Sequence, residues 1–316
     1  MAILGMNRRN ALIQKYNSPR AIKTVNQKFE TKTKLASAGV PVPNTLALIR
    51  STSELMGFDF AALPESFAVK PNRGSQGQGV LLASGRESNG WRQLNGELLT
   101  FDMLRQHVAR IQEGEFSLEG GDGDAALFEP LIRAHPEVAR LVPYGLPDIR
   151  IICFRDRPLM AMTRLPTEES SGRANLHQGA IGAAIDLSSG EIFRAVLKGK
   201  PTEIHPSTGE RLIGERIPFW NDVMTAARRC SAPLDLGYVG VDLVIDAVAG
   251  VQVLECNAYP GLEIQNVNGA GLANRIAIAR KRVERPQRSE GLFKIPAIPT
   301  LGLSLPKFGI GRLAWG

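Results

Sequence analysis

Three oxygen-bearing side chains, Asp242, Glu255 and Asn257, lie on two short apolar runs within GYVGVDLVIDAVAGVQVLECNAYPG, residues 237–261. Carboxylate and amide oxygens are the ligands of hard divalent cations such as Mg²⁺, which keeps part of its water shell and bridges to phosphates. Residues 239–246 and 251–257 are rich in β-branched side chains and read as consecutive strands with a short Ala/Gly connection. A hairpin folded about residues 248 and 249 sets Asp242 opposite Glu255. Strand alternation then turns Glu255 and Asn257 to one face. Val244, Val251 and Val253 are expected on that same face, where a pair of buried carboxylates is costly without a cation. The competing reading is an acidic pair facing solvent. Cys256, between two of the candidate ligands, is expected to face away and pack.

A second constellation surrounds Lys70. It ends a strand over 66–71, and Asn-Arg-Gly-Ser-Gln-Gly-Gln-Gly follows at 72–79 before a second strand at 80–83. Gly74, Gly77 and Gly79, with Ser75 and Gln76 between them, let a backbone approach an anion closely and offer amide donors. The lysine precedes the loop, so this is not the GxxxxGK phosphate loop. A flap-like hairpin fits better, set against the plain alternative of an ordinary turn beside a solvent lysine. Glu129-Pro130-Leu131-Ile132 ends a strand over 126–132, where Pro130 predicts an edge or an interruption. Such a strand would hinge two lobes and offer its backbone to an adenine. Asp148 and Arg150 share one strand face, and Arg164 ends the next strand. Arg173, Asn175 and His177 alternate along RANLHQG. Arginines in this pattern bind carboxylates bidentately and stabilise phosphoryl charge; ordinary surface ion pairing is the alternative for any one of them. His177 is read as orienting its loop.

The elements that must position these residues alternate between types. Helices are expected over 26–38, ended by Gly39, and over 52–63, 97–112, 219–230 and 269–285, after a basic helix and lead-in within 1–25. Strands are expected at 45–49, 148–154, 158–164, 182–186 and 192–196. Residues 120–124 read as an exposed turn and 166–179 as a mobile loop. Hairpins are frequent, so the fold class is α+β. No internal repeat is evident.

With 316 residues, 43% of them hydrophobic and 22% charged, the chain has room for one large or one two-lobed unit. No apolar run reaches the ~18 residues of a membrane span, and no signal core follows the basic start. The three cysteines, Cys153, Cys230 and Cys256, have no metal-binding spacing. Disulfides are not expected, and a reducing cytoplasmic setting is. The net charge of +7 is uneven: residues 1–50 hold nine Lys/Arg against one acid, and residues 275–316 nine against two. Basic ends of this kind suit an acidic protein or substrate; no nucleic-acid-binding signature accompanies them, so no specific nucleic-acid partner is expected.

In order, the chain shows Lys28 before AGVPVP, then FAVKPNRGSQGQGV, LFEPLI, DIRIICFRDRPLMAMTR, SGRANLHQGA and GVDLVID…VLECNAYPGLE. This ordered set, over residues 26–275, resembles the ATP-grasp superfamily, and within it the RimK-type α-L-glutamate ligases and related proteins. The resemblance implies two lobes enclosing a nucleotide cleft, with ATP and Mg²⁺ as cofactors. It implies that Lys28 and Lys70 contact ATP under a lid at 74–79. Glu129 to Ile132, and the neighbourhood of Asp148 and Arg150, would adjoin the nucleotide. Asp242, Glu255 and Asn257 would hold the metal. Arg164, Arg173 and Asn175 would face the phosphate and the acceptor. The implied reaction activates a carboxylate as an acyl phosphate and joins it to an amine, most simply adding glutamate or another amino acid to an amino-acid or peptide substrate. Phosphoryl transfer and non-catalytic nucleotide binding are the alternatives.

Two features depart from the family pattern. Only 27 residues precede Lys28, where relatives carry a substantial domain, so the expectation is that either the basic N-terminal segment suffices or a partner protein or second copy completes the acceptor site. Gln27-Lys28 also stands where the family has Asp-Lys. The expected organisation is a basic segment 1–27, lobes over 28–133 and 134–285, and a proline-containing basic tail 286–316.

Overall fold

The computed structural model describes residues 2–74, 77–117 and 123–284. Ser75, Gln76, residues 120–122 of the expected turn and the tail 286–316 lie outside them. The basic start forms two helices, α1 (Met6–Tyr16) and α2 (Pro19–Val25). The Ser18 side chain accepts from the Ala21 amide, and Pro19 opens α2, the usual chemistry of a helix start. Helix α3 (Lys28–Ser37) ends as expected at Gly39, whose φ is +68°. The proline-spaced segment then runs extended into β1 (Ala47–Ile49), and α4 (Thr52–Gly57) follows.

The first sheet adds β2 (Phe67–Pro71), β3 (Leu81–Glu87), β4 (Gly90–Gln93), β5 (Leu98–Thr100) and, after helix α5 (Phe101–Gln112), β6 (Ala126–Pro130). Its order is β1-β6-β2-β3-β4-β5, all antiparallel. Two expectations change here. The helix expected from residue 97 starts at 101, because Leu98–Thr100 pairs with β4 and the Thr100 hydroxyl caps the Met103 amide. β6 is also no edge strand, since it lies between β1 and β2. Pro130 is tolerated because it is the last residue of the strand, and Leu131 and Ile132 lie beyond it. Phe67, Trp91, Leu104, Ile111 and Phe128 pack the core between this sheet and α5.

The second sheet follows α6 (Pro136–Ala139). It comprises β7 (Asp148–Phe154), β8 (Arg157–Leu165), β9 (Ile181–Ile185), β10 (Ile192–Leu197) and β11 (Lys200–Thr202). After helices α7 (Trp220–Arg229) and α8 (Ser231–Leu234) come β12 (Tyr238–Asp246) and β13 (Gly250–Asn257). The strand order is β11-β10-β9-β8-β7-β12-β13, again antiparallel throughout. Helices α9 (Glu263–Asn268) and α10 (Leu272–Glu284) close the described chain. This is an α+β, two-lobed architecture.

Strand alternation divides the larger sheet cleanly. Ile149, Ile151, Val239, Val241, Leu243 and Ile245 face one core together with Val223, Met224 and Ala227 of the amphipathic α7. Leu35 and Val40 also pack in this core, although they precede the smaller sheet in sequence. The opposite face has two halves. At one end Ile152, Phe154, Met160, Met162 and Tyr238 pack with residues of α1, α9 and α10. At the other end the same alternation presents Asp148, Arg150, Arg164 and Asp242.

Candidate active site

β7, β8, β12 and β13 bring the polar residues together by register alone. Asp148 pairs with Arg164, Arg150 with Asp242, Asp242 with Glu255, and Gly240 with Asn257. The pairing of Asp242 with Glu255 is the one expected from the hairpin. The register shifts between Asp242 and Leu243, so Leu243 pairs with Val253 and an extra residue stands in β13. That bulge overturns one expectation: Val251 and Val253 do not share the acidic face but pack with Leu243 and Ile245 in the core behind it. Without the bulge, strict alternation would have turned Glu255 and Val253 to the same side. Cys256 packs in that core as expected and is a free thiol.

A compact ion network results. Arg150 Nε donates to Asp242 Oδ1 at 2.6 Å, and Arg164 Nε to Asp148 Oδ1 at 2.6 Å. Arg164 also reaches Asp242 Oδ2 at 3.2 Å, where Asn257 Nδ2 donates at 3.2 Å. Burial alone would raise the Asp242 carboxyl; Arg150 and Arg164 outweigh it and hold Asp242 below the usual carboxylate range. Asp148 behaves differently. Burial pushes it up to about 6, Arg164 opposes this, and the neighbouring charge of Asp242 adds to it. Asp242 is therefore the more acidic of the two carboxylates. Burial would lower both guanidiniums, but the carboxylates offset it and hold Arg150 and Arg164 above their ordinary value.

The donor set of Asp242, Glu255 and Asn257 fits Mg²⁺. It offers two carboxylates and an amide oxygen, all hard donors, on adjacent strands. The amide nitrogen of Asn257 donates to Asp242 Oδ2, an oxygen that Arg150 and Arg164 also engage, so a cation there would take the place of these donors. Glu255 keeps 35% of its side chain exposed, while Asp242 is almost fully covered.

The glycine segment approaches this network through α3. Lys28, first residue of that helix, donates from Nζ to the Gly74 carbonyl and lies 3.9 Å from Glu255 Oε1. Burial lowers the Lys28 ammonium, with Glu255 pulling the other way and Lys70 adding to the depression. The base of the loop is tied to the same helix end: the Asn72 side chain accepts from the Phe29 amide and the Asn72 carbonyl from the Lys28 amide. Asp124 accepts from the Arg73 amide and from the Ser117 hydroxyl. At the far end His107 of α5 hydrogen-bonds the Gly79 carbonyl at 2.9 Å, and its ring lies against Phe116. Burial lowers the His107 imidazole, so it is neutral near pH 7 and donates through Nε2–H.

Glu129 is buried between two cations. Its Oε1 accepts from Lys32 at 2.5 Å and its Oε2 from Lys70 at 2.6 Å. Burial would raise the Glu129 carboxyl, but the two ammoniums hold it below its ordinary value. Lys32, Asp124, Asn72 and His107 were not singled out from the sequence. Lys32 had a legible signal, since it follows Lys28 by four residues and so shares its helix face. The other three are loop or helix residues recruited by tertiary packing.

Arg173 and Asn175 lie on the loop before β9, where Leu176 comes up against Gly182, the β9 partner of Arg164. They fall in a turn and a one-turn 3₁₀ helix at Leu176–Gln178 that Asn175 caps, so the expected alternation through His177 is not formed. The surrounding loop is stitched by Thr167 Oγ1 to the Gly179 carbonyl and by Ser170 Oγ to the Thr167 amide.

The family profile described as sugar-transfer associated ATP-grasp matches residues 7–281. The chain belongs to this ATP-grasp family. Among curated relatives, a probable α-L-glutamate ligase of Pasteurella multocida is 24% identical, over 83% of this chain and 62% of that protein. One from Mannheimia succiniciproducens is 26% identical, over 84% of this chain and 67% of that protein. The chain thus spans about two thirds or less of the length of these relatives. Among solved structures, the ATP complex of D-alanine–D-alanine ligase from Bacillus anthracis is 15% identical, over 84% of this chain and 68% of that chain, with a TM-score of 0.48. Among the described residues of this ATP-grasp protein, no helix is long and apolar enough to cross a membrane.

Proposed function

We propose that this ATP-grasp protein is an ATP-dependent, ADP-forming carboxylate–amine ligase of the RimK type, adding glutamate or another amino acid. Its lobes would meet near residue 133. The observation that carries the reading is Lys28, whose ammonium touches both the Gly74 carbonyl of the glycine loop and the Glu255 side chain of the acidic hairpin. One cation therefore joins a glycine-lined backbone to a set of metal-type ligands, an arrangement suited to a polyphosphate carrying Mg²⁺. Mg²⁺, when bound, would neutralise phosphate charge and align it. Asp242, Glu255 and Asn257 would hold the ion, Lys28 and Lys70 would contact phosphates, and the backbone from Glu129 to Ile132 would border the base. Arg150 and Arg164 stand beside the metal ligands with guanidinium donors suited to an acyl phosphate and the tetrahedral state that follows. Arg173 and Asn175 would border the acceptor. The chain's contribution is alignment and charge neutralisation, with no covalent nucleophile required.

The test is product analysis with labelled ATP, Mg²⁺ and a panel of amino acids, peptides and sugar acids. ADP, phosphate and an amide product are expected. A stable phosphorylated product formed without an amine would indicate phosphoryl transfer instead. ATP binding without turnover across the panel, with candidate partner proteins present, would indicate a nucleotide-binding regulator.

A further inference from the structure

Lys32 is a buried charge to which the proposed chemistry gives no role. It is 5% exposed, on a helix face it shares with Lys28. Lysine is almost never buried to this extent unless it is paired. Its partner is Glu129, which Lys70 already pairs: the two ammoniums hold opposite oxygens of one carboxylate at 2.5 and 2.6 Å. With a single counter-charge, Glu129 and its lysine would form a neutral pair. The second leaves the triad with one positive charge in surplus, and Lys28 lies close enough to feel Lys70. Burial lowers the Lys32 ammonium and the Glu129 charge restores it in part, so each group depends on the other for its ionised form.

The geometry separates the two lysines by task. Lys32 is enclosed, its ammonium otherwise meeting, among the described residues, the Asn44 carbonyl at 3.5 Å. Lys70 leads directly into the glycine loop and is the more exposed of the pair. We infer that Lys32 is a positioning residue for nucleotide binding: by neutralising Glu129 it leaves the charge of Lys70 available to a phosphate. The inference rests on the reading of Lys70 as a phosphate contact. In a buried setting a lone Lys70–Glu129 pair would be a satisfied, neutral couple, and an arriving phosphate would have to compete with the carboxylate. With Lys32 on the other oxygen, Glu129 orients Lys70 without cancelling it.

A merely structural Lys32 would affect stability whatever stands at 129. A charge-balancing Lys32 should matter for the nucleotide only while Glu129 is anionic. The full chain is titrated calorimetrically with ATP and Mg²⁺ as wild type, Lys32→Met, Lys32→Arg and the double variant Lys32→Met/Glu129→Gln. Lys32→Met is expected to weaken binding about tenfold, the equivalent of about 1.4 kcal/mol. Lys32→Arg should stay within about threefold of wild type, and the double variant should recover most of the loss. If Lys32→Met loses its cooperative unfolding transition, Lys32→Gln takes its place in the same comparison. Unchanged binding in the charge-removing variant, or a double variant as weak as the single, overturns the inference while the ligase reading stands. Failure of the wild-type chain to bind ATP overturns both.

Discussion

At the scale of the residue, the site is a set of buried charges that are almost all partnered. Asp242 is held by two arginines and an asparagine, and Glu129 by two lysines. Such sets add little net stability, because desolvation offsets attraction, yet removing one member leaves a buried charge exposed to its full cost. Glu129→Gln should therefore lower stability by about 3 kcal/mol at pH 7 in denaturant unfolding. Its pH dependence has a definite sign. The folded-state value of Glu129 lies below its ordinary 4.5, so its contribution is complete above that pH and is lost as pH falls through the lower, folded-state value. Thermal midpoints of wild type and Glu129→Gln should converge on acidification below about 4.5 and stay separated from pH 5 to 7. Midpoints that remain equally far apart down to pH 3 would mean that Glu129 carries no charge in the fold.

At the scale of the element, the glycine segment is a hairpin loop pinned at both ends. Asp124 and Asn72 fix its base, and His107 with Phe116 fixes its return. Gly79 has φ of +68°, and a Cβ there would stand 2.5 Å from the Phe116 ring. Gly79→Ala meets both the left-handed penalty of about 1–2 kcal/mol and a clash. It should weaken nucleotide binding while leaving the unfolding of the larger lobe unchanged. His107→Ala removes the hydrogen bond to the Gly79 carbonyl and should raise the ATP dissociation constant severalfold, with a smaller effect on stability. Equal affinity in both variants would show that the loop is set without its anchor.

The loop and the acidic hairpin were legible because local rules govern them. Glycine spacing, β-branched runs and turn residues carry their geometry directly. The hairpin's face assignment was only half legible, since the bulge after Asp242 is a tertiary adjustment with no mark in the sequence. Strands β4, β5 and β11 are short, and Leu98–Thr100 reads locally as the start of a helix until its pairing with β4 is seen. Pro130 suggested an edge or an interruption, and the second holds, since the strand ends there; RANLHQG suggested alternation because the Asn175 cap competes with an extended chain.

At the scale of the whole molecule, Lys28 links the two sheets. Its helix packs by Leu35 into the core of the larger sheet, while its first residue reaches the loop of the smaller one. A ligand held from both sides should therefore stabilise the molecule as a unit. Any ligand that binds only the folded chain adds RT ln(1 + [L]/Kd), about 2.7 kcal/mol at a hundredfold excess over Kd. For a chain of this size that corresponds to a rise of roughly 5 °C in the unfolding midpoint. Glu255 divides this effect, because its side chain is partly exposed and, with Gln in its place, the Lys28 ammonium keeps its hydrogen bond to the Gly74 carbonyl. Glu255→Gln should unfold within about 0.5 kcal/mol of wild type in the absence of nucleotide. With ATP and Mg²⁺ it should lose most of the added stability, whereas with ATP and a chelator the two proteins should respond alike. Scanning calorimetry of both proteins under these three conditions makes the comparison. A wild-type midpoint raised equally with and without Mg²⁺ would remove the acidic hairpin from the nucleotide site, and the glycine loop and its lysines would have to account for binding alone.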